Sequence, residues 1–366
     1  MGLLVVTAVM LVGLPIFGVA AAGKPIGPFL EFPPISRYVE HADFSWGAFL
    51  LAALLEILAV LVLLRLVRRG NAVMAQPSPA RQFCFPWWGW AGLTICLAGW
   101  VLAWTRFPWF AAFQRHTFTL PWLGYILSVN ALCRKRSGRS PLTDGPVTYL
   151  LLFPVSAGFW WFFEYLNRFV QNWYYVEVAT FDPLGYFVFA SLSFSTVLPA
   201  VLGTSRLLLT FPALNAGLTG LHPLRAAKPK ALAAAILALA ACGLALIGVF
   251  PDYLFSLVWV SPLLVATSLQ ALRGGTTLFS PLSRGDFRWV LVPAFAALAC
   301  GFFWELWNVY SLAKWEYAIP FVDRFRIFEM PLLGYGGYLP FGLECLVVIC
   351  MVDGSLFLPE STRDRS

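Results

Sequence analysis

Ten apolar stretches of about 20 residues follow one another along the chain, and few folds survive that pattern. They cover 3–22, 46–67, 85–105, 118–133, 146–166, 183–204, 231–250, 253–272, 289–309 and 333–352. Apolar side chains make up 60% of the 366 residues and charged ones 12%, about half the charged share of a soluble domain. A soluble interior cannot hide that much apolar surface, whereas a bilayer accepts it. In lipid the backbone must satisfy its own N–H and C=O groups, so each stretch reads as a helix. The expected fold is all-α: a polytopic integral membrane helix bundle of about ten transmembrane helices.

Loop charge gives such a bundle its orientation. With the first helix entering from the cytoplasm, Lys24, Arg37, Arg106, Arg115, Arg168, Lys314, Arg324 and Arg326 fall outside, leaving 17 of the 25 basic residues inside. The expectation is a bacterial-type inner membrane with both termini cytoplasmic. Many of the 16 Trp and 33 Phe stand at the ends of the apolar runs, where interfacial aromatics gather. Residues 3–22 end in Ala20-Ala21-Ala22, which looks like a signal-peptide cleavage site. No Lys or Arg precedes the run, however, and a retained first helix is the expectation. Residues 205–230, with Pro212, Pro223 and Pro229, read as a cytoplasmic linker. It separates helices 1–6 (1–204) from helices 7–10 (231–352), and 353–366 form a cytoplasmic tail.

Several activities lack their residues. The seven Cys include no Cys-x-x-Cys pair, and the three His lie far apart, so neither a metal nor a cofactor is expected. No Walker-type Gly-x-x-x-x-Gly-Lys, His-Glu-x-x-His or Gly-x-Ser-x-Gly occurs. The net charge of +7 is accounted for by cytoplasmic anchoring, and no basic segment interleaved with aromatics is present to bind nucleic acid.

A short unit recurs at helical-hairpin spacing. It reads Phe118-Thr119-Leu120-Pro121-Trp122-Leu123-Gly124-Tyr125, Phe181-Asp182-Pro183-Leu184-Gly185-Tyr186 and Phe328-Glu329-Met330-Pro331-Leu332-Leu333-Gly334-Tyr335. Before the last two copies, Glu164-x-x-Asn167 with Trp173-x-Tyr175 matches Glu305-x-x-Asn308 with Trp315-x-Tyr317. The units fall on helices 3–4, 5–6 and 9–10, which predicts parallel helical-hairpin repeats. Helix-start chemistry by itself explains much of Pro-Leu-Gly-Tyr: Pro suits the first turn and Gly admits a close neighbour.

Four carboxylates, Glu56, Glu164, Glu305 and Glu344, lie in or at the edge of apolar spans. A charge at mid-membrane costs roughly 2.5–3.5 kcal/mol, so such residues usually face a protein interior or cavity. Glu305 and Glu344 are the candidate acid and base, with Asn308, on the same helix face as Glu305, to orient a substrate. Trp304, Trp307, Trp315 and Tyr317 are the candidate lining of an apolar site, and Glu164 with Asn167 the equivalent pair in the other copy. The plainer alternative pairs Glu164 with Arg168 and Glu305 with Lys314 as interfacial salt bridges.

The stretch from Trp304 to Cys345 resembles a family of bacterial multi-spanning membrane proteins with no assigned activity. Trp304-Glu305-x-Trp307-Asn308, Lys314-Trp315-x-Tyr317, Phe328-Glu329-Met330-Pro331-Leu332 and Leu339-Pro340-Phe341-Gly342-Leu343-Glu344-Cys345 carry that likeness. Trp315-x-Tyr317 followed by Pro340 and Glu344 is also similar, over about 40 residues, to lycopene-cyclase-type carotenoid-modifying membrane domains. There a Glu-Glu pair follows the Pro, and here Glu344 stands alone. That resemblance implies an apolar, isoprenoid-like ligand.

Three functions remain open. The first is binding or modification of a lipid or isoprenoid near the outer leaflet. The second is a non-catalytic subunit or assembly factor whose aromatic loops meet a membrane protein partner. The third is a proton-coupled transporter using Glu344 and Glu56.

Overall fold

The computed structural model describes residues 2–73 and 83–357. It is mainly helical, with a few short strands. In chain order the elements are α1 (Gly2–Ala21), α2 (Trp46–Val73), α3 (Trp87–Trp104), α4 (Thr119–Ser137), α5 (Pro141–Asp144), α6 (Pro146–Val170), β1 (Trp173–Val176), α7 (Pro183–Phe194), α8 (Val197–Leu208) and α9 (Pro212–Leu218). There follow α10 (Pro229–Leu246), α11 (Pro251–Leu254), α12 (Ser261–Leu272), α13 (Arg288–Asn308), β2 (Lys314–Tyr317), β3 (Arg326–Ile327), β4 (Met330–Pro331) and α14 (Tyr338–Asp353). The C-terminal tail expected from residue 353 lies outside the described residues beyond Phe357.

All ten apolar stretches are wholly or largely helical, but fewer of them qualify as spans. By length and composition seven helices can cross a membrane, or up to eight if a bent pair counts as one. The pair is Pro251–Trp259 and Ser261–Leu272, bent by 56°. In α4 the last turn carries Arg134, Lys135 and Arg136, which makes it too charged to count. The 20-residue α1 is not among the seven.

Two spans are broken, and each break is repaired by a neighbouring helix. A break within lipid strands backbone groups that no water can reach. Between α7 and α8 the Ser156 hydroxyl of α6 donates to Phe194 O at 2.6 Å and accepts from Leu198 N–H at 3.1 Å. At the start of α12 the Glu344 carboxylate of α14 accepts from Leu263 N–H at 3.2 Å. Close helix contacts rest on glycine: a Cβ on Gly124 of α4 would fall 2.3 Å from Cys96 N of α3.

The loops gather at the two helix ends. At one end Ser45 N–H donates to Phe321 O (2.9 Å), Arg168 to Glu31 O (2.7 Å) and Ala318 N–H to Asn172 O (2.9 Å). At the other, Arg69 donates to Gly220 O (2.7 Å), Phe287 N–H to Leu218 O (2.9 Å) and Arg206 to Phe357 O (2.9 Å). Within 205–230, α9 packs against α2 and α13, and helices from both sides of that segment meet, α1 on α10 and α8 on α13.

The strand pairing positions the site. β1, just after α6, pairs antiparallel with β2, just after α13, in the register Trp173↔Tyr317, Tyr174↔Glu316, Tyr175↔Trp315 and Val176↔Lys314. A second short pair joins β3 to β4.

Candidate functional site

The ends of α6 and α13 build the site by the same local chemistry. At the end of α6, Gln171 takes a left-handed conformation, φ 53°, and the chain turns back as β1. Asn167, one turn from the helix end, ties that turn down. Its Oδ1 accepts from Asn172 N–H at 2.8 Å, and its Nδ2 donates to Trp173 O and to Ser36 Oγ, both at 2.7 Å. At the end of α13, Asn308 does the same for β2. Its Oδ1 accepts from Trp315 N–H at 3.0 Å and its Nδ2 donates to Trp315 O at 2.8 Å.

Side chains alternate along a strand, so Trp173 and Tyr175 share a face, as do Trp315 and Tyr317. The register brings the four rings together, and each pair turns its polar edge toward a carboxylate. Glu164 Oε1 accepts from the indoles of Trp160 and Trp173, both at 2.9 Å, and from the Tyr175 phenol at 2.6 Å. Its Oε2 accepts from Ser36 at 3.5 Å. Glu305 Oε1 accepts from the Tyr317 phenol at 2.7 Å, Tyr338 at 2.9 Å and the Trp315 indole at 3.3 Å. Glu305 Oε2 is buried with no hydrogen-bond partner among the described residues. Burial first, and the adjoining carboxylate second, push the Tyr175 and Tyr317 phenols well above the usual tyrosine range. Both therefore stay protonated and act as donors.

Beside these rings lies a cavity of about 300 Å³, at the small end of the range for ligand sites. Its walls include Trp160, Trp173, Tyr175, Trp304, Trp315 and Tyr317. Trp259, ahead of α12, and Tyr338, at the start of α14, also line it. The carboxylates stand behind the rings they hold, since neither Glu164 nor Glu305 lines the cavity.

Among the residues singled out in the sequence, Trp304, Trp315 and Tyr317 reach the cavity. Glu164, Asn167, Glu305 and Asn308 lie fully buried behind it, holding the rings and strands in place. Trp307 does not line it, and instead packs edge-on to Trp122, with ring centroids 4.9 Å apart. Glu344 is bound to the first turn of α12 and shares no hydrogen-bond partner with Glu305. Neither proposed salt bridge forms: Arg168 serves Glu31 O, and Lys314 pairs with Glu329 and with Glu316 at 3.3 Å. Glu56 rests against Gly336, where an added Cβ would meet its Oε1.

Sequence reasoning left out Trp160, Trp173, Tyr175, Trp259, Tyr338 and Asn172, all of which line the cavity. For Trp173 and Tyr175 the signal was present, since they match Trp315 and Tyr317 in the other copy. Trp160 stands four residues before Glu164, within reach on the same helix face. No group of three or more His, Cys, Asp or Glu that could hold a metal occurs among the described residues.

Comparison with protein-family models, with curated proteins and with solved structures gave no match in any of the three. The fold therefore defines the class by itself: a multi-pass membrane protein of at least seven apolar helices. Within that class, it carries an aromatic, carboxylate-braced cavity at one helix end.

Proposed function

We propose that this protein binds an apolar ligand, a lipid or an isoprenoid, in the aromatic cavity. The observation that carries this reading is the cavity itself, walled by aromatic rings, six of which turn their polar edges onto Glu164 and Glu305. What remains facing the ligand is chiefly ring surface, which suits an apolar body and any developing positive charge. The similarity of Trp315-x-Tyr317 and Pro340…Glu344 to lycopene-cyclase-type domains agrees with an isoprenoid. For modification of the ligand, Glu305 is the better candidate of the two carboxylates, because Glu344 is engaged with α12. Asn308 positions Trp315.

We place the protein in a bacterial inner membrane. The more basic helix end faces the cytoplasm and the cavity lies near the outer leaflet, in line with the 17-to-8 distribution of Lys and Arg. We read the Glu164–Tyr175 and Glu305–Tyr317 segments as copies of one unit, because each Glu holds the Trp and Tyr of its own strand and each Asn holds the Trp carbonyl. A second reading, a subunit of a membrane complex, rests on α2. Only 6% of its apolar window is buried within the chain, which leaves a long face for a partner helix.

Native mass spectrometry of the chain in mild detergent tests both. The expected result is a retained apolar molecule in wild type, depleted about tenfold in Ala190→Phe, which fills the cavity from α7. A wild-type chain that stays ligand-free after exposure to a lipid extract overturns the first reading. A stoichiometric protein partner in its place supports the second.

A further inference from the structure

We propose that the ligand of this cavity carries one neutral hydroxyl head group, held by Asn172. The inference rests on the apolar-ligand reading above and specifies the class of molecule. Asn172 lines the cavity and is only 3% exposed. Its backbone is fixed on both sides, with N–H donating to Asn167 Oδ1 at 2.8 Å and C=O accepting from Ala318 N–H at 2.9 Å. Its side-chain Oδ1 is buried and has no hydrogen-bond partner among the described residues. An unpaired carbonyl in such a place carries an uncompensated desolvation cost, which is removed when a ligand supplies the missing donor.

The rest of the lining decides what kind of donor fits. The polar edges of Trp160, Trp173, Tyr175, Trp315, Tyr317 and Tyr338 are already taken by the two carboxylates. Lys314 is the one charged side chain lining the cavity among the described residues, and it is paired with Glu316 and Glu329. An anionic head group would find no free cation there and would lie near two buried glutamates. A cationic one would give up its hydration for neutral groups alone, the Asn172 carboxamide and the hydroxyls of Tyr186, Ser193 and Ser256. A hydroxyl donates one proton and accepts one, so it matches a carboxamide in either orientation of its oxygen and nitrogen. The cavity's 300 Å³ is about ten times the ~30 Å³ share of one water, which suits a chain of about ten heavy atoms next to the head.

The test is photocrosslinking of the purified chain in lipid nanodiscs. The probe is a long-chain primary alcohol with a diazirine in its tail, and labelled peptides are mapped by mass spectrometry. Competitors are 1-decanol, decanoic acid and decane. The expected result is labelling within 160–194 or 304–338, with decanol competing about tenfold better than decane and decanoic acid no better than decane. Tenfold corresponds to one hydrogen bond. In Asn172→Leu, the decanol advantage disappears while labelling persists. That variant removes no side-chain hydrogen bond seen among the described residues, and its melting temperature, measured in parallel, should be no lower than that of wild type. Equal competition by decanol and decane in wild type overturns the head-group assignment while leaving the apolar cavity standing, and so does preference for the acid. Absence of cavity labelling by any probe overturns both readings.

Discussion

The two buried glutamates are built alike but finished differently. Each lies in the last two turns of its helix, each has Asn one turn on, and each gathers the Trp and Tyr of the strand that follows. Around Glu164 the arrangement is closed. Four donors meet its two oxygens, and Ser36 from the 23–45 loop touches both Glu164 and Asn167. Around Glu305 three donors crowd Oε1 while Oε2 has none. Among the described residues, none plays the part of Ser36 there. One carboxylate therefore acts as a structural clasp, while the other keeps an unused acceptor beside the cavity wall.

The largest test of that contrast replaces each carboxylate by leucine. Glu164→Leu strands the donors of Trp160, Trp173, Tyr175 and Ser36, each of which costs about 1–3 kcal/mol when buried and unpaired. Partial relaxation should leave a net loss of about 4 kcal/mol. Glu305→Leu strands less, because the Trp315 indole also donates to Tyr317 Oη at 2.8 Å, and the change removes an oxygen that had no partner. Its loss should be about 2 kcal/mol. Denaturant unfolding in detergent measures both, and equal losses would break the comparison.

The asparagines give a smaller version. Asn167 makes three hydrogen bonds and Asn308 two. At about 1 kcal/mol for each, alanine should cost roughly 3 kcal/mol at 167 and roughly 2 kcal/mol at 308. Ser36→Ala should cost about 1 kcal/mol and bring the two sites closer together. In that background Asn167→Ala should lose about 1 kcal/mol less than before, because the Ser36 contact is already gone. If the two changes are additive, Ser36 is not the source of the difference.

Much of this was readable in the residues, and the remainder has identifiable causes. Hydropathy locates the helices because lipid demands long apolar runs. Seven helices, or eight with the bent pair, are long and apolar enough to cross, and α4 falls outside that count because it ends in Arg134-Lys135-Arg136. The matched Glu-x-x-Asn and Trp-x-Tyr segments are visible by self-comparison. Their pairing with each other is not, because β1 and β2 are four residues each and lie some 140 positions apart. The role of Glu344 was hidden by a helix break. Residues 253–272 read as one span, yet Ser261-Pro262 begins a new helix, and the residue before a proline resists the helical conformation. Once the break is recognised, a carboxylate facing the orphan N–H groups is a natural cap. Asn172 could not be found in advance, since nothing local tells whether a carboxamide will have a partner.

The smallest effect concerns one of the two positions where a neutral residue of β1 faces a charged one of β2. Val176 of β1 lies opposite Lys314 of β2. Burial by itself would lower the Lys314 pKa, but its hydrogen bonds to Glu329 and Glu316 and their negative charge outweigh burial and hold it above the ordinary lysine value. A lysine whose folded pKa exceeds its unfolded one adds stability that is fully present below the unfolded value, about 10.4. That contribution fades as pH climbs through the folded value. Wild type should therefore exceed Lys314→Met in stability near neutral pH, with the gap closing only above about pH 10.4. Tyr175 and Tyr317 are present in both chains, so their ionisation largely cancels in the difference. Thermal unfolding of the two proteins across pH 7 to 11 reads the gap directly. A gap that grows with pH would reverse the sign and remove Lys314 from the bracing of β2, whereas one that closes on schedule would add an electrostatic tie to the half of the site whose carboxylate remains open.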